Sequence, residues 1–574
     1  MKLHPVDIAI LLIYVIGVVY LGFHLRKKAS ENVESYFLAG RRLHWLWISI
    51  SGSVSTYDIT GTMWIVAMFY TMGLKGMWIH WSWGFLIPAA YMTFAGKWVR
   101  RSAVLTGAQW METRFGKGLD GMIARQLYAF ASVITTVCMI AYDYQGIGKF
   151  ISVYLPLSKD AGAFLVFGVT SIYVILGGLY SVIVTDVIQT AILTIAAAVV
   201  AVICASQFTF ESLSASVPDG WLSLAPAWEP TYLAGTDFQF FGLLCIAWIA
   251  KGIMLNAGGP FTLHEFQRFL STRSSRDASK VGAAWGFFLV TRWAMCIGIT
   301  ALAVVGIQGI TDPEMALPHV LDVYLPIGLK GLVLAGFLAA FMSTFDSTIN
   351  SGAAYLVEDI YHGLIKPNAS NRELTRASYI SSILIVIAGL LIGMQAQSIT
   401  TIWTWILMVF TAGFLVPNIL RWYWWRFNAW GVAGSTSVGM AVCFFLTFFY
   451  PGAPPYLSLG VIVLSSLAAA IIATYSTAPT NAETLRLFYG AVHPGGFWGP
   501  VRRGMDDGGL RAKSETFMRD LFNCAIGMIA LLCLYLTPVY SVIHDWTAAA
   551  ITFSVFLAGV LILWKTWYPY LPED

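Results

Sequence analysis

Residues 339–352 read "AAFMSTFDSTINSG", between the apolar runs GLVLAG (331–336) and AAYLV (353–357). A lipid-facing helix does not tolerate a carboxylate, so Asp346 must look inward to a cavity or a partner. Counting from Ser343, Asp346 lies at i+3, Ser347 at i+4, Asn350 at i+7 and Ser351 at i+8. Those spacings share one helix face. The result is a stripe of hydroxyl, carboxylate and amide oxygens, which suit a hard cation. A single Ser or Thr more often bonds back to its own helix or joins two helices. A stripe that includes a carboxylate weighs towards a bound cation.

The surroundings place this stripe in a membrane. The chain has 574 residues, 58% of them hydrophobic and only 11% charged, where about 25% charged is ordinary for a soluble protein. Apolar runs long enough to cross a bilayer, roughly 20 residues, recur at 6–24, 44–72, 77–95, 122–152, 161–180, 184–206, 238–258, 278–306, 329–358, 374–394, 399–424, 428–450, 457–474, 518–538 and 545–567. The expectation is an all-α polytopic membrane protein of about 15 transmembrane helices. Lys and Arg gather in every second loop, from Arg26/Lys27/Lys28 onward, while the alternate loops hold only Lys75, Lys159 and Lys330. That bias places the N-terminus outside and the C-terminus in the cytoplasm, which an odd helix count requires. The loop at 207–237 is expected outside as a surface lid, and 475–517 is expected inside as an irregular linker before a final helix pair, 518–574. All seven cysteines fall in apolar segments without metal-ligand spacing and read as buried thiols. No Walker pattern or zinc signature is present, and no nucleic-acid partner is expected. An enzyme would need an intramembrane catalytic pair; His264 beside Glu265 reads as a gate or a loop. The expected partners are the bilayer and a small-molecule solute, and no residue pattern speaks to oligomeric state.

Other polar groups enter the spans. "SISGSVSTYDITGTMW" (49–64) is dense in small and polar residues, and "KGIMLNAGGPF" (251–261) ends in Gly-Gly-Pro. Transporters expose carbonyls and helix ends at such interruptions; a plain helix end is the competing reading of the second. Asp186 sits past Val-Ile-Val inside its helix, or else caps it. Tyr142, Asp143, Tyr144 and Gln145 suit a small polar ligand, and Asp143 equally suits neutralising Lys251 or Arg292. Trp64 and Tyr57 are placed to stack on a solute or to pack.

The pieces "ESYFLAGRRL", "TYDITG", "GGLYSVIVTDVIQ", "QRFLSTRSSRDA" and "AAFMSTFDSTINSGAAYLVEDIY" occur in matching order. With them the chain resembles the sodium:solute symporters over roughly residues 5–475. The resemblance implies a LeuT-type core of two inverted five-helix repeats, here 44–206 and 238–427, preceded by an extra helix (1–43) and followed by further helices (428–474). It implies sodium as coupling ion. A first sodium site is carried over to Thr56, Ile59, Ala340, Ser343 and Thr344, and an additional one to Asp186, Ser343, Asp346 and Ser347. The family has Ser where this chain has Asp346, a change that would tighten sodium binding, carry a proton, or pair with a cationic group. The candidate solute ligands are Asp58, Trp64, Asp143, Tyr144, Gln145, Lys251 and Asn256. The expected function is sodium-coupled import of a small polar solute across the cell membrane, not catalysis. Sugar or sugar acid ranks slightly above an amino acid, and proton coupling through Asp346 and Asp186 is the alternative.

Overall fold

The computed structural model describes residues 3–29, 41, 43–83, 86–104, 106–259, 263–450, 452–503, 505 and 516–572. The side chains of 22–29, 82, 83, 172–181, 263, 264 and 455 lie outside the description. Most of the "ESYFLAGRRL" motif, Pro260 and the His264 side chain therefore fall outside it. The fold is all-helical, and eleven described helices are long and apolar enough to cross a membrane. The count of fifteen is not reproduced by that measure, because several expected spans are broken, bent or only partly described.

Helix α1 (Pro5–Ala29) is followed by the pair α2 (Trp45–Val54) and α3 (Ile59–Met72). The interruption between α2 and α3 has a local cause. Ser55 Oγ donates to Gly52 O at 2.9 Å and Thr56 Oγ1 to Ser53 O at 2.8 Å. Asp58 then restarts the helix, accepting from Gly61 N at 2.6 Å as an N-cap. Short polar side chains compete for backbone groups in this way and favour caps over helix interiors.

Helix α4 (Leu119–Tyr154) leads into α5 (Lys159–Ser206), a helix of 48 residues where two spans are expected. It cannot be straight. Phe167 packs on Phe341 and Phe345 with ring centroids 5.2 and 4.8 Å apart, and Asp186 accepts from Ser343. A straight helix would set Phe167 and Asp186 about 28 Å apart, yet both reach the same two turns of one neighbour. The helix therefore bends between these two residues, and its second part, Val182–Ser206, is by itself long and apolar enough to cross a membrane.

The second half of the core is α6 (Phe241–Gly258), α7 (Leu263–Leu270), α8 (Ser275–Trp285), α9 (Val290–Gly306), α10 (Leu329–Ala354), α11 (Asn371–Gly393) and α12 (Ile399–Phe410). Helix α6 stops where Gly259 takes φ +71°, a conformation that favours glycine at a helix end. Its last carbonyls are met by aromatic donors: Tyr423 OH to Ala257 O at 2.8 Å and Trp422 Nε1 to Gly258 O at 3.1 Å. From Phe337 to Ala354, α10 is buried except at Leu338, so the polar stripe faces protein throughout.

The expected lid is fastened over the end of α3. Leu74 N donates to Trp221 O at 2.9 Å, and Trp78 Nε1 to Leu224 O at 2.7 Å. The expected linker contains a helix, α13 (Ala482–Val492), whose Phe488 packs on Trp110. The last pair, α14 (Phe517–Val542) and α15 (Trp546–Thr566), is docked on the core by the buried Lys97–Asp520 ion pair at 2.9 Å and by Tyr535 OH on Gly286 O. All seven cysteines are free and buried.

Candidate functional site

The broken α2/α3 helix, α5, α7 and α10 meet at a first polar junction. Asp186 accepts from Ser51 on α2 and Ser343 on α10. Into this space α7 projects Arg268, which is 0% exposed. Its Nη2 reaches Ser51 Oγ at 2.9 Å, Ser347 Oγ at 2.9 Å and Asp186 Oδ2 at 3.4 Å. Asp346 is buried beside it, with Ser347 Oγ 3.3 Å from its Oδ1. The four residues expected to hold an additional sodium are therefore together, but a guanidinium sits among them. Charge-assisted bonds of this kind are strong, and a fixed cation repels a second one placed between the same oxygens.

A second junction lies where α2 ends. Thr344 Oγ1 is 3.0 Å from Ser55 O and 3.3 Å from Ala340 O. Two carbonyls and a hydroxyl, with no fixed charge among them, form an oxygen set of the kind that suits a hard cation. Of the other expected ligands, Ser343 is turned to Asp186 and Thr56 O accepts from Arg292 Nη1 at 2.6 Å. Ile59 is buried as the first residue of α3.

The third feature is a closely packed polar and aromatic cluster around Gly61. A methyl group there would meet Asp58 Oδ1, Arg292 Nη2 and Tyr142 OH, all within 2.9 Å. Arg292 and Asp58 form an ion pair at 3.1 Å, and the guanidinium lies 5.2 Å from the Tyr57 ring. Trp403 stands 5.2 Å from both Trp64 and Tyr142. Thr60 packs against Gly146, one turn from Asp143. Asp143 is 0% exposed, and neither carboxylate oxygen has a hydrogen-bond partner.

Asp58, Trp64 and Asp143 thus converge as candidate solute ligands, while the other four do not. Tyr144 OH donates to Asp160 at 2.6 Å. Gln145 donates to Gly393 O and Ala396 O and accepts from Lys159, so it is fully used. Lys251 Nζ sits 3.5 Å from Leu407 O and makes no ion pair among the described residues. Asn256 lines a separate apolar cleft with Tyr423, Trp424 and Phe517. Sequence reading missed Ser51, Ser55 and Trp403 as contributors, and counted Arg268 as a loop charge.

A family model described as "Sodium:solute symporter family" matches residues 36–439. The chain belongs to the sodium:solute symporter family. Sodium is accordingly the coupling ion of this symporter. Among curated relatives, the symporter is 22% identical over 491 residues to the osmoregulated proline transporter OpuE of Bacillus subtilis, covering 83% of this chain and 96% of that protein. It is 25% identical over 486 residues to a sodium/glucose cotransporter of Vibrio parahaemolyticus, covering 77% and 85%. A solved structure of a Na+-coupled sialic acid symporter, in a substrate-bound outward-open state, superposes with TM-score 0.68 at 17% identity, covering 83% of this chain and 99% of that one. That likeness supports the LeuT-type inverted-repeat fold.

Proposed function

We propose that this symporter imports a small polar organic solute across the cell membrane by alternating access, with the N-terminus outside and the C-terminus in the cytoplasm. Sodium binds at the junction of Ser55, Ala340 and Thr344. The observation that carries this reading is the break at 55–58 held against the Thr344 hydroxyl. A cation there would tie the unwound end of α2 to α10 and so favour one arrangement of the two repeats. Linkage makes the coupling reciprocal: sodium raises solute affinity by the factor with which solute raises sodium affinity. Inward movement of sodium gains roughly 2.3 kcal/mol per charge per 100 mV of membrane potential.

The outer closure fits the same scheme. Lys149 bonds Asp312 and Glu314 at 2.7 Å each. Glu314 in turn accepts from the backbone of Ile399 and Thr400 at the start of α12. This clamp ties α4 to the start of α12.

The test is thermal stability of the purified protein in sodium against potassium. A ligand that binds only the folded state adds RT ln(1 + [L]/Kd). Sodium should raise the midpoint for the natural chain and lose that effect in Thr344→Ala. Equal shifts in the two salts would end the assignment of this junction.

A further inference from the structure

We propose that α13, residues 496–500 and the start of α14 form an autoinhibitory strap, which holds the cytoplasmic side of this symporter shut until it slides or lifts. This goes beyond the transport reading above and rests on it.

The strap lies outside the family match, which ends at residue 439. In an inverted-repeat transporter one repeat rocks against the other to open each side in turn. Contacts that bridge the repeats on one side therefore oppose opening there. Trp98 and Trp110 belong to the first repeat, Trp422 and Tyr423 to the second. Trp422 stands 5.5 Å from Trp98 and 4.5 Å from Trp110.

The strap adds rings that touch both sides of this seam. Phe488 of α13 packs on Trp110 at 5.4 Å and on Trp422 at 6.3 Å. Phe517, the first residue of α14, packs on Trp98 at 6.0 Å and on Tyr423 at 5.9 Å. Trp498 Nε1 donates to Trp422 O at 2.8 Å, and its ring lies 4.7 Å from the guanidinium of Arg114, in the first repeat. Arg114 itself donates to Arg421 O at 3.1 Å and to Phe427 O at 3.2 Å. The backbone joins as well: Phe497 N donates to Tyr423 O at 2.6 Å, and Trp425 N to Phe497 O at 3.3 Å. A passive connection runs over the surface. This one buries Phe488 and Trp498 to 1% exposure each.

The seam needs such a strap. Asn256 near the end of α6 and Asn418 in the helix Val416–Tyr423 are buried with both amide atoms unpaired. The buried Arg421 guanidinium is held by ring faces, 4.4 Å from Trp110 and 5.2 Å from Tyr128. Buried polar groups without partners are costly, and water entering from the cytoplasm would satisfy them. Closure therefore works against hydration of these groups, and the apolar burial of the strap offsets it.

The experiment uses the full-length protein in inside-out membrane vesicles. Asn418→Cys places a thiol one turn before Trp422, and a membrane-impermeant maleimide reads its access from the cytoplasmic side. The natural chain, with its seven buried cysteines, sets the background. Labelling of Asn418→Cys should be slow. Adding Trp498→Ala should speed it about tenfold or more, the factor for losing aromatic contacts and a hydrogen bond. On the transport reading, sodium taken from outside favours the arrangement shut to the cytoplasm. Saturating sodium should therefore slow the labelling again, and potassium should not, because a ligand shifts a two-state equilibrium and does not mend a frayed linker. Trp546→Ala on α15, where Trp546 is exposed, is the control and should leave the rate unchanged. Should Trp498→Ala fail to fold, Phe517→Ala serves, with a smaller acceleration and the same reversal. Fast labelling of Asn418→Cys alone, unchanged labelling in the folded strap variants, an equal acceleration by Trp546→Ala, or an acceleration that sodium does not reverse would each overturn the strap. A missing sodium shift in the thermal midpoint of the natural chain would instead strike the transport reading, so the two failures are distinguishable.

Discussion

Asp186 and Asp143 are both fully buried carboxylates in the membrane-spanning core, and their surroundings are opposite. Asp186 receives two serine hydroxyls and a guanidinium. Asp143 receives nothing. Burying a charge is costly in either case, but in the first the protein supplies the compensation and in the second it does not. A fully compensated carboxylate holds helices together. An uncompensated one is relieved by taking up a proton.

The comparison makes predictions of unequal size. Arg268→Ala strands Asp186 and should cost about 3–5 kcal/mol, read as unfolding midpoint in potassium. Adding Asp186→Asn to that variant should restore most of the loss. A cost the second substitution fails to recover would mean that Arg268 stabilises through packing and that the pairing is incidental.

Gly61→Ala comes next, because it attacks the packing around the Asp58–Arg292 pair. Its Cβ would stand 2.5 Å from Asp58 Oδ1 and 2.7 Å from Arg292 Nη2, so the ion pair must part. Overpacking of this kind costs about 1–3 kcal/mol. Gly17→Ala on α1, with nothing within 4 Å of its added carbon, is the control and should be neutral or slightly stabilising. Equal effects at the two glycines would show that the close approach at Gly61 is relaxed easily.

Asp143→Asn should change stability by less than about 1 kcal/mol, since a buried carboxyl without a cation takes up a proton rather than staying charged. A destabilised variant would reveal a partner for Asp143 and erase the contrast with Asp186.

Much of this was legible in one sequence because the signals were local. The stripe from Ser343 to Ser351 follows from helical spacing, and the break at 55–58 follows from the density of Ser, Thr and Asp. Both are observed where expected. Asp186 read correctly as an interior carboxylate. Its partner did not, because Arg268 lies 82 residues away and shares its stretch with Arg273, Arg276 and Lys280, a pattern that reads as a cytoplasmic loop. Nothing in the residues themselves separates the one arginine that α7 carries inward. Tyr144 and Gln145 are bonded elsewhere in the structure for a related reason: their partners, Asp160, Lys159 and the carbonyls of Gly393 and Ala396, come from neighbours that one helix pattern cannot identify. Trp403 gave no signal, since a tryptophan among apolar residues reads as packing. The single 48-residue helix across two expected spans shows the reverse limit: length and hydropathy mark spans, whereas the bend within α5 is visible only through what Phe167 and Asp186 both touch.

The subtlest change sharpens the boundary between the two sodium-related junctions. Ser343 and Thr344 are adjacent, and the resemblance assigns both to the first sodium. In the structure, Thr344 turns to Ser55 and Ser343 to Asp186. Helical neighbours point about 100° apart, so one residue can serve each junction without strain. Ser343→Ala should then remove a single hydrogen bond to a charged group, at about 1–2 kcal/mol, and leave the sodium-dependent shift in place. Thr344→Ala should do the reverse, abolishing the shift with little loss of stability in potassium. If Ser343→Ala also abolishes the shift, its hydroxyl leaves Asp186 for the ion when sodium binds. The two junctions would then be one switch, in which sodium and the Asp186–Arg268 pair compete for the same serine.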